Sequence, residues 1–301
     1  MELKKLSDLK SLLKDRPVKR LALAAAQDQQ SLGAVLHAWE DRIIEPILVG
    51  NSEKIKKVAE EHGYDISGLR IIDEPDFEKA TELAVKIVSS GDADVLMKGK
   101  VGTSTLLKYV LNKEWGLRTG RLLSHIALFE VATYHKLIAV TDVAMNIAPN
   151  LTDKIAIVNN AVYCLNMLGI ARPKVAVLGA VEMVNESMQA TMDAALLSKM
   201  NQRDQILNCT IDGPLAFDNA ISLESAIYKG IRSEVAGDTD LLLMPDIEVG
   251  NVLYKSLVFF AQAKVASMIL GASAPIVLTS RSDSEQAKYD SILLAAASSG
   301  K

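Results

Sequence analysis

Near its C-terminus the chain runs Ala274-Pro275-Ile276-Val277-Leu278-Thr279-Ser280-Arg281-Ser282-Asp283-Ser284, an apolar stretch that stops in hydroxyls, a guanidinium and a carboxylate. Pro275 to Leu278 has the short, β-branched character of a buried strand, and a helical pattern with Ala287, Ile292, Leu293 and Ala296 on its apolar face follows. In parallel α/β sheets, ligands sit where a strand ends and a helix begins. The helix start offers unpaired N–H groups and partial positive charge to an anion. Arg281 adds a planar cation suited to phosphate, and Ser280 and Ser282 add hydroxyls. A serine cap beside an exposed arginine would read the same way, so the string needs support from elsewhere.

A second strand end gives some. Lys98-Gly99-Lys100-Val101-Gly102-Thr103-Ser104-Thr105 sets two lysines, two glycines and three hydroxyls at another strand-to-helix turn, the makings of a phosphate cradle. It is not a Walker A motif, because Gly-Lys is followed by Val101 and the upstream glycine is missing. A solvated lysine-rich turn is the plain alternative. A third tip, Thr141 through Asn150, places polar groups, Asn146 among them, after an apolar strand, although turn chemistry alone accounts for Asn146 to Asn150.

The elements that would position these tips alternate along the chain. An amphipathic helix is predicted over 4–15. Strands are predicted at 20–26, 43–49, 69–72 and 94–97, with helices at 28–41, 52–62 and 76–89 between them. Strands at 124–131 and 136–140 come next. The alternation then restarts, with helices at 154–168, 186–200, 216–229 and 249–262 and strands at 174–178, 205–211 and 239–244. Strands separated by helices of this length mean βαβ units and parallel sheets. The pattern predicts an α/β protein of two domains, 1–138 plus 272–301 forming a discontinuous first domain and 139–271 an inserted second one. Gly91-Asp92-Ala93-Asp94 before one strand is echoed by Gly237-Asp238-Thr239-Asp240 before another. Shared turn chemistry explains that as well as common descent of the halves does.

With 301 residues the chain can bury a large core. Its 49% hydrophobic and 23% charged content is that of an ordinary soluble enzyme. A net charge of −4 argues against a nucleic-acid partner, whose protein surface is normally basic. Cys164 and Cys209 sit in apolar stretches and read as core residues, too few for a disulfide framework or zinc site. The N-terminus lacks an apolar signal core, and Gly271 and Pro275 interrupt the apolar segment Val265 to Leu278. No membrane association is expected, and the expected location is cytoplasmic.

Several segments together carry a resemblance. Gly91–Thr105, Thr141–Leu151, Asp212–Ala220, Gly237–Lys255 (with Met244-Pro245-Asp246-Ile247-Glu248-Val249-Gly250-Asn251 the most distinctive string) and Pro275–Arg281 resemble the phosphate acetyltransferase/phosphate butyryltransferase family, in order and over most of the chain. The butyryltransferase branch is the nearer. The resemblance implies transfer of a short-chain acyl group, butyryl first among them, between coenzyme A and inorganic phosphate: acyl-CoA + phosphate ⇌ acyl phosphate + CoA. It further implies two three-layer α/β domains with mainly parallel sheets, similar to isocitrate and isopropylmalate dehydrogenases, with the active site in the interdomain cleft. A homodimer or higher homo-oligomer is implied, with acyl-CoA and phosphate as substrates and no metal or bound cofactor. Ser280 and Arg281 match the family's Ser-Arg pair. Lys98, Lys100, Thr103, Ser104 and Ser124 match its anion-binding region, and Asn146 belongs to the matching Thr141–Leu151 segment. An arginine after the acetyltransferases' Thr-Thr pair is replaced here, with Lys108 as the nearby cation. The acetyltransferases' base, an Asp seven positions after the Ser, falls on Ala287. Asp283 and Glu285 are the neighbouring carboxylates, and Asp283 joins Ser280 and Arg281 as the expected catalytic set. No adjacent histidine makes Ser280 a triad nucleophile.

The rival is an NAD(P)-dependent hydroxy-acid dehydrogenase of similar fold, with Asp212, Asp218, Asp246 and Glu248 as imaginable metal ligands. No G-x-G-x-x-G follows the early strands to support it.

Overall fold

The computed structural model describes residues 3–280 and 283–299. In chain order its elements are α1 (Asp8–Leu13), β1 (Lys19–Ala24), α2 (Gln29–Glu40), β2 (Ile44–Gly50), α3 (Ser52–His62), β3 (Arg70–Asp73), α4 (Phe77–Ser89), β4 (Val95–Lys98) and α5 (Thr103–Val110). Then come β5 (Ser124–Glu130), β6 (Ile138–Thr141), α6 (Leu151–Met167), β7 (Lys174–Leu178), α7 (Gln189–Gln202) and β8 (Thr210–Leu215). The chain continues with α8 (Phe217–Ile221), α9 (Leu223–Tyr228), β9 (Leu241–Leu243), α10 (Ile247–Phe259), β10 (Lys264–Leu270), β11 (Ile276–Val277) and α11 (Glu285–Ser298).

Two compact units divide the chain. The first holds Ser7–Arg121 and the segment from Ala266 onward; the second holds the segment up to Leu6 and Leu122–Val265. The border expected near 138 lies at 121/122 in this division, because β5 pairs antiparallel with β6 (Ala127↔Val140, Phe129↔Ile138) and the two strands stay together. The first residues join the second unit: Leu3 O accepts from Leu137 N, and Leu6 N donates to Glu130 Oε2 at 2.9 Å. The return expected at 272 lies at 265/266, inside β10.

The first unit's sheet has the order β3-β2-β1-β4-β11-β10, parallel except for the β10–β11 pair. The inner strands are apolar along their middles, as sheets covered on both faces require: Leu21, Leu23, Leu48, Leu96 and Met97 are fully buried. Polar residues just past the strands start the helices. The side chains of Asp28, Asn51, Asp76 and Ser284 each accept the N–H of the residue three further on, capping α2, α3, α4 and α11. The last helix is not the one-sided helix its pattern suggests. Every residue from Lys288 to Ser298 is buried.

The second unit's sheet runs β8-β7-β9-β6-β5, again parallel except for one terminal pair, β5–β6. Two predicted elements shift here. The strand expected at 205–211 lies at 210–215, so Asp212-Gly213-Pro214 is strand rather than turn. A Cβ on Gly213 would stand 2.7 Å from Val177 O of β7, so this glycine serves a close backbone approach. Pro214 is accommodated because β8 ends the order of this sheet. The helix expected at 216–229 breaks into α8 and α9 at Ser222, which is extended and caps α9 through Ser225 N.

Candidate functional site

β4 ends in Lys98, and the turn after it lies against β1. Gly99 N donates to Ala24 O (2.8 Å) and Lys100 N to Ala25 O (2.9 Å). A Cβ on Gly99 would stand 2.4 Å from Ala25 O and 2.6 Å from Ala24 O, so only glycine allows this approach. The turn holds Lys98 in a buried position, 5% exposed, its Nζ 3.4 Å from the carbonyls of Gly99 and Val101. Gly102 begins α5 without a side-chain cap, so the leading N–H groups around Thr103 and Ser104, both exposed, are not taken by a capping side chain.

β11 runs parallel to β4 (Ile276↔Leu96, Val277↔Met97), so its end arrives beside Lys98. There Ser280 N donates to Asp283 Oδ2 at 2.7 Å. From the first turn of α11, Lys288 reaches back to the same turn. Its Nζ donates to Ser280 O (2.9 Å), Asp283 O (3.2 Å) and Thr279 Oγ1 (3.4 Å). A pocket of about 360 Å³ opens between the two tips. Lys98, Gly99 and Lys100 line one side and Thr279, Ser280 and Lys288 the other, with Asp28 and Ser31 of the α2 start and Phe77 of α4 completing it.

Burial decides the protonation tendencies. It pushes the Asp283 carboxyl above its ordinary range, against the Ser280 N–H and the charges of Lys288 and Lys98, which favour the ionised form. It pulls Lys288 below the usual lysine range, against the carboxylates of Asp283 and Asp28. The pocket thus has Lys98, Lys100 and Lys288 in its lining, and the turn that begins at the lining residue Ser280 carries a carboxyl shifted towards neutrality, a set that can bind an anion and accept a proton.

Of the expected residues, the structure brings Lys98, Lys100 and Ser280 to the pocket lining, with Asp283 joined to it through its bond from Ser280 N. Arg281 lies outside the described residues. Lys108 points elsewhere, 3.1 Å from Glu78 and over the Tyr109 ring. Glu285 faces α2, with Oε1 3.0 Å from His37 Nδ1 and Oε2 accepting from Tyr64, which leaves Asp283 as the carboxylate at the pocket turn. Lys288, Asp28, Ser31 and Phe77 were not singled out by sequence. Asp28 had a signal as a cap. Lys288 had only a weak one, a lysine one residue past the anomalous Ala287.

Ser124 and Asn146 belong to the second unit. Ser124 is fully buried, its hydroxyl accepting from Asn160 Nδ2 at 3.0 Å. Asn146 donates to Leu123 O (2.9 Å) and Asp142 Oδ2 (2.6 Å). Asp142 also accepts the N–H groups of Ala144 and Met145. His125 is buried edge-on to Tyr254, and burial holds its pKa down at about 4. Asp218 is bound by Ser225 and Lys229, and Asp246 caps α10. Among the described residues, no group of three or more His, Cys, Asp or Glu side chains could hold a metal ion.

The profile of the family described as "Phosphate acetyl/butaryl transferase" matches residues 6–87 and 74–296. The chain is 50% identical over 293 residues to the phosphate butyryltransferase of Clostridium beijerinckii, covering 97% of both chains. It is 48% identical over 278 residues to the phosphate acetyltransferase of Thermotoga maritima, covering 92% of this chain and 94% of that one. Among solved structures, a branched-chain phosphotransacylase from Enterococcus faecalis V583 superposes with a TM-score of 0.81 at 33% identity, over 93% of this chain and 99% of that one. A 4-hydroxythreonine-4-phosphate dehydrogenase from Klebsiella pneumoniae, at 12% identity and a TM-score of 0.60, over 93% of this chain and 98% of that one, shows the dehydrogenase-like fold alone.

Proposed function

We propose, from the premise that the chain belongs to the phosphate acetyl/butaryl transferase family, that its β4–β11 pocket is where phosphate meets an acyl group. The enzyme transfers a short acyl group between coenzyme A and phosphate, and butyryl is the group we assign. The observation that carries this is the 50% identity to a phosphate butyryltransferase across 97% of both chains. No feature of the pocket favours nicotinamide chemistry.

In the direction of acyl-CoA synthesis, the thiolate of coenzyme A attacks the carbonyl carbon of the acyl phosphate in a ternary complex, and phosphate leaves. A free thiol titrates near ~8.5, so a base that takes its proton speeds the step. Asp283, raised by burial, is suited to that role. The tetrahedral oxyanion and the departing phosphate are both anionic. Lys98, Lys100 and the uncapped start of α5 offer them cationic and N–H partners, and removing one such donor typically costs about 10²–10³-fold in rate. In reverse, the same groups bind phosphate as nucleophile and the protonated Asp283 returns a proton to the thiolate. Ser280 is a hydrogen-bonding partner to the thiol or oxyanion, and Arg281 the additional cation. Coenzyme A is a substrate in this scheme, which uses no metal or resident cofactor. A cytoplasmic homodimer is the form we assign to the working enzyme.

The test mixes butyryl-CoA with phosphate and follows thiol release, with acetyl-CoA and nicotinamide reduction as parallel arms. Phosphate-dependent thiol release, faster from butyryl-CoA, is expected. Thiol release that ignores phosphate, or nicotinamide reduction with a hydroxy acid, would overturn the assignment.

A further inference from the structure

Lys288 stands on a helix whose residues from 288 to 298 are all buried, and is itself only 2% exposed. A buried ammonium is costly to keep unless its donors are satisfied. Here an ammonium has three N–H groups, and the acceptors are the Ser280 carbonyl, the Asp283 carbonyl and the Thr279 hydroxyl. Two of these are the main-chain ends of the Ser280–Asp283 turn, which is closed from inside by Ser280 N donating to Asp283 Oδ2. One side chain therefore fixes both ends of the turn that carries the proposed base.

We propose that Lys288 is the positioning residue of this active site: its ammonium clamps the Ser280–Asp283 turn and sets the charge at which Asp283 works. This rests on the acyl-transfer reading and on Asp283 as base. Among the described residues, the charged groups facing the turn are Lys288 from α11, Lys98 and Lys100 from the β4 tip, and Asp28 from the α2 cap, whereas Glu285 is turned to His37. Among them Lys288 and Lys98 hold the Asp283 carboxyl down against burial. Removing the Lys288 charge lets that carboxyl rise further, so the base is lost at a higher pH.

The experiment compares Lys288→Met, which keeps the stem without the charge, with Lys288→Arg, which keeps the charge. The parent's phosphate-dependent thiol release is measured first, and its absence would sink the functional reading rather than this one. With an active parent, the Met variant should lose about 10²-fold or more in kcat with a much smaller change in KM for acyl-CoA. Its ascending pH–rate limb should move to higher pH, and the Arg variant should keep the parent's limb. A Met variant with the parent's limb and turnover overturns the inference. So does an Arg variant whose limb moves, and that measurement alone decides if the Met variant does not fold.

Discussion

In the first unit the order β2-β1-β4-β11-β10, and in the second the order β8-β7-β9-β6-β5, repeat the same strand directions, four parallel strands and a terminal antiparallel one. The turn leading into the middle strand is the same as well. Gly91 and Gly237 take φ values of +83° and +78°. The Asp94 carboxylate accepts Arg20 N at 2.8 Å, as Asp240 accepts Lys174 N at 2.7 Å, and each Asp N–H donates back to the same residue's carbonyl. The sequence echo is thus a repeated bracket that aligns β4 on β1 and β9 on β7. The tips beyond those strands differ. One reads Lys98-Gly99-Lys100 and the other Met244-Pro245-Asp246. The framework is duplicated while the paired lysines stand at one tip alone, which is the tip proposed to hold the anion.

The largest effect should separate those two tips. Lys98→Met should lower turnover about 10²–10³-fold in the thiol-release assay, while Met244→Leu at the corresponding position stays within about threefold of the parent. Equal losses at both positions would break the contrast. A smaller effect distinguishes the backbones. Gly99→Ala forces a Cβ against the carbonyls of Ala24 and Ala25 and should cost about 1–3 kcal/mol in unfolding experiments. Pro245→Ala, at a position that already carries a side chain, should cost distinctly less.

The smallest effect concerns the brackets. Asp238 is held well below the usual carboxylate range by Lys136, Lys174 and His135, against the opposing effect of burial. Its folded-state value is depressed, so the stability it adds is present above the ordinary carboxylate pKa of about 4 and lost as pH falls through its own lower value. Asp238 is 44% exposed, so solvent screening keeps that stability to under about 1 kcal/mol. Denaturant unfolding should therefore show Asp238→Asn less stable than the parent at neutral pH, with the gap closing in acid. A gap that is constant with pH would detach this stability from the carboxylate's charge.

The fold was legible where strands end in a cap, because Asp28, Asn51 and Asp76 mark the switch from one periodicity to the other. It was not legible at β10, where Val265 to Leu270 is a short apolar run whose type periodicity cannot decide. Asp212-Gly213-Pro214 misled in the other direction: turn residues by composition, they are strand because a neighbouring backbone comes too close for any side chain at Gly213. The site was legible as far as its two tips, since lysine, glycine and serine after apolar strands are unusual company. Lys288 was hidden because a lysine in a helix reads as solvated, and only the all-round burial of α11 turns it inward.

The central claim is that phosphate is held at the first unit's β4 tip. A crystal structure of the protein soaked in phosphate tests it most directly. An anion within hydrogen-bonding distance of the Lys98–Lys100 turn is expected. An anion bound instead at the Met244–Asp246 tip, or a filled site elsewhere with the β4 pocket empty at saturating phosphate, would contradict it.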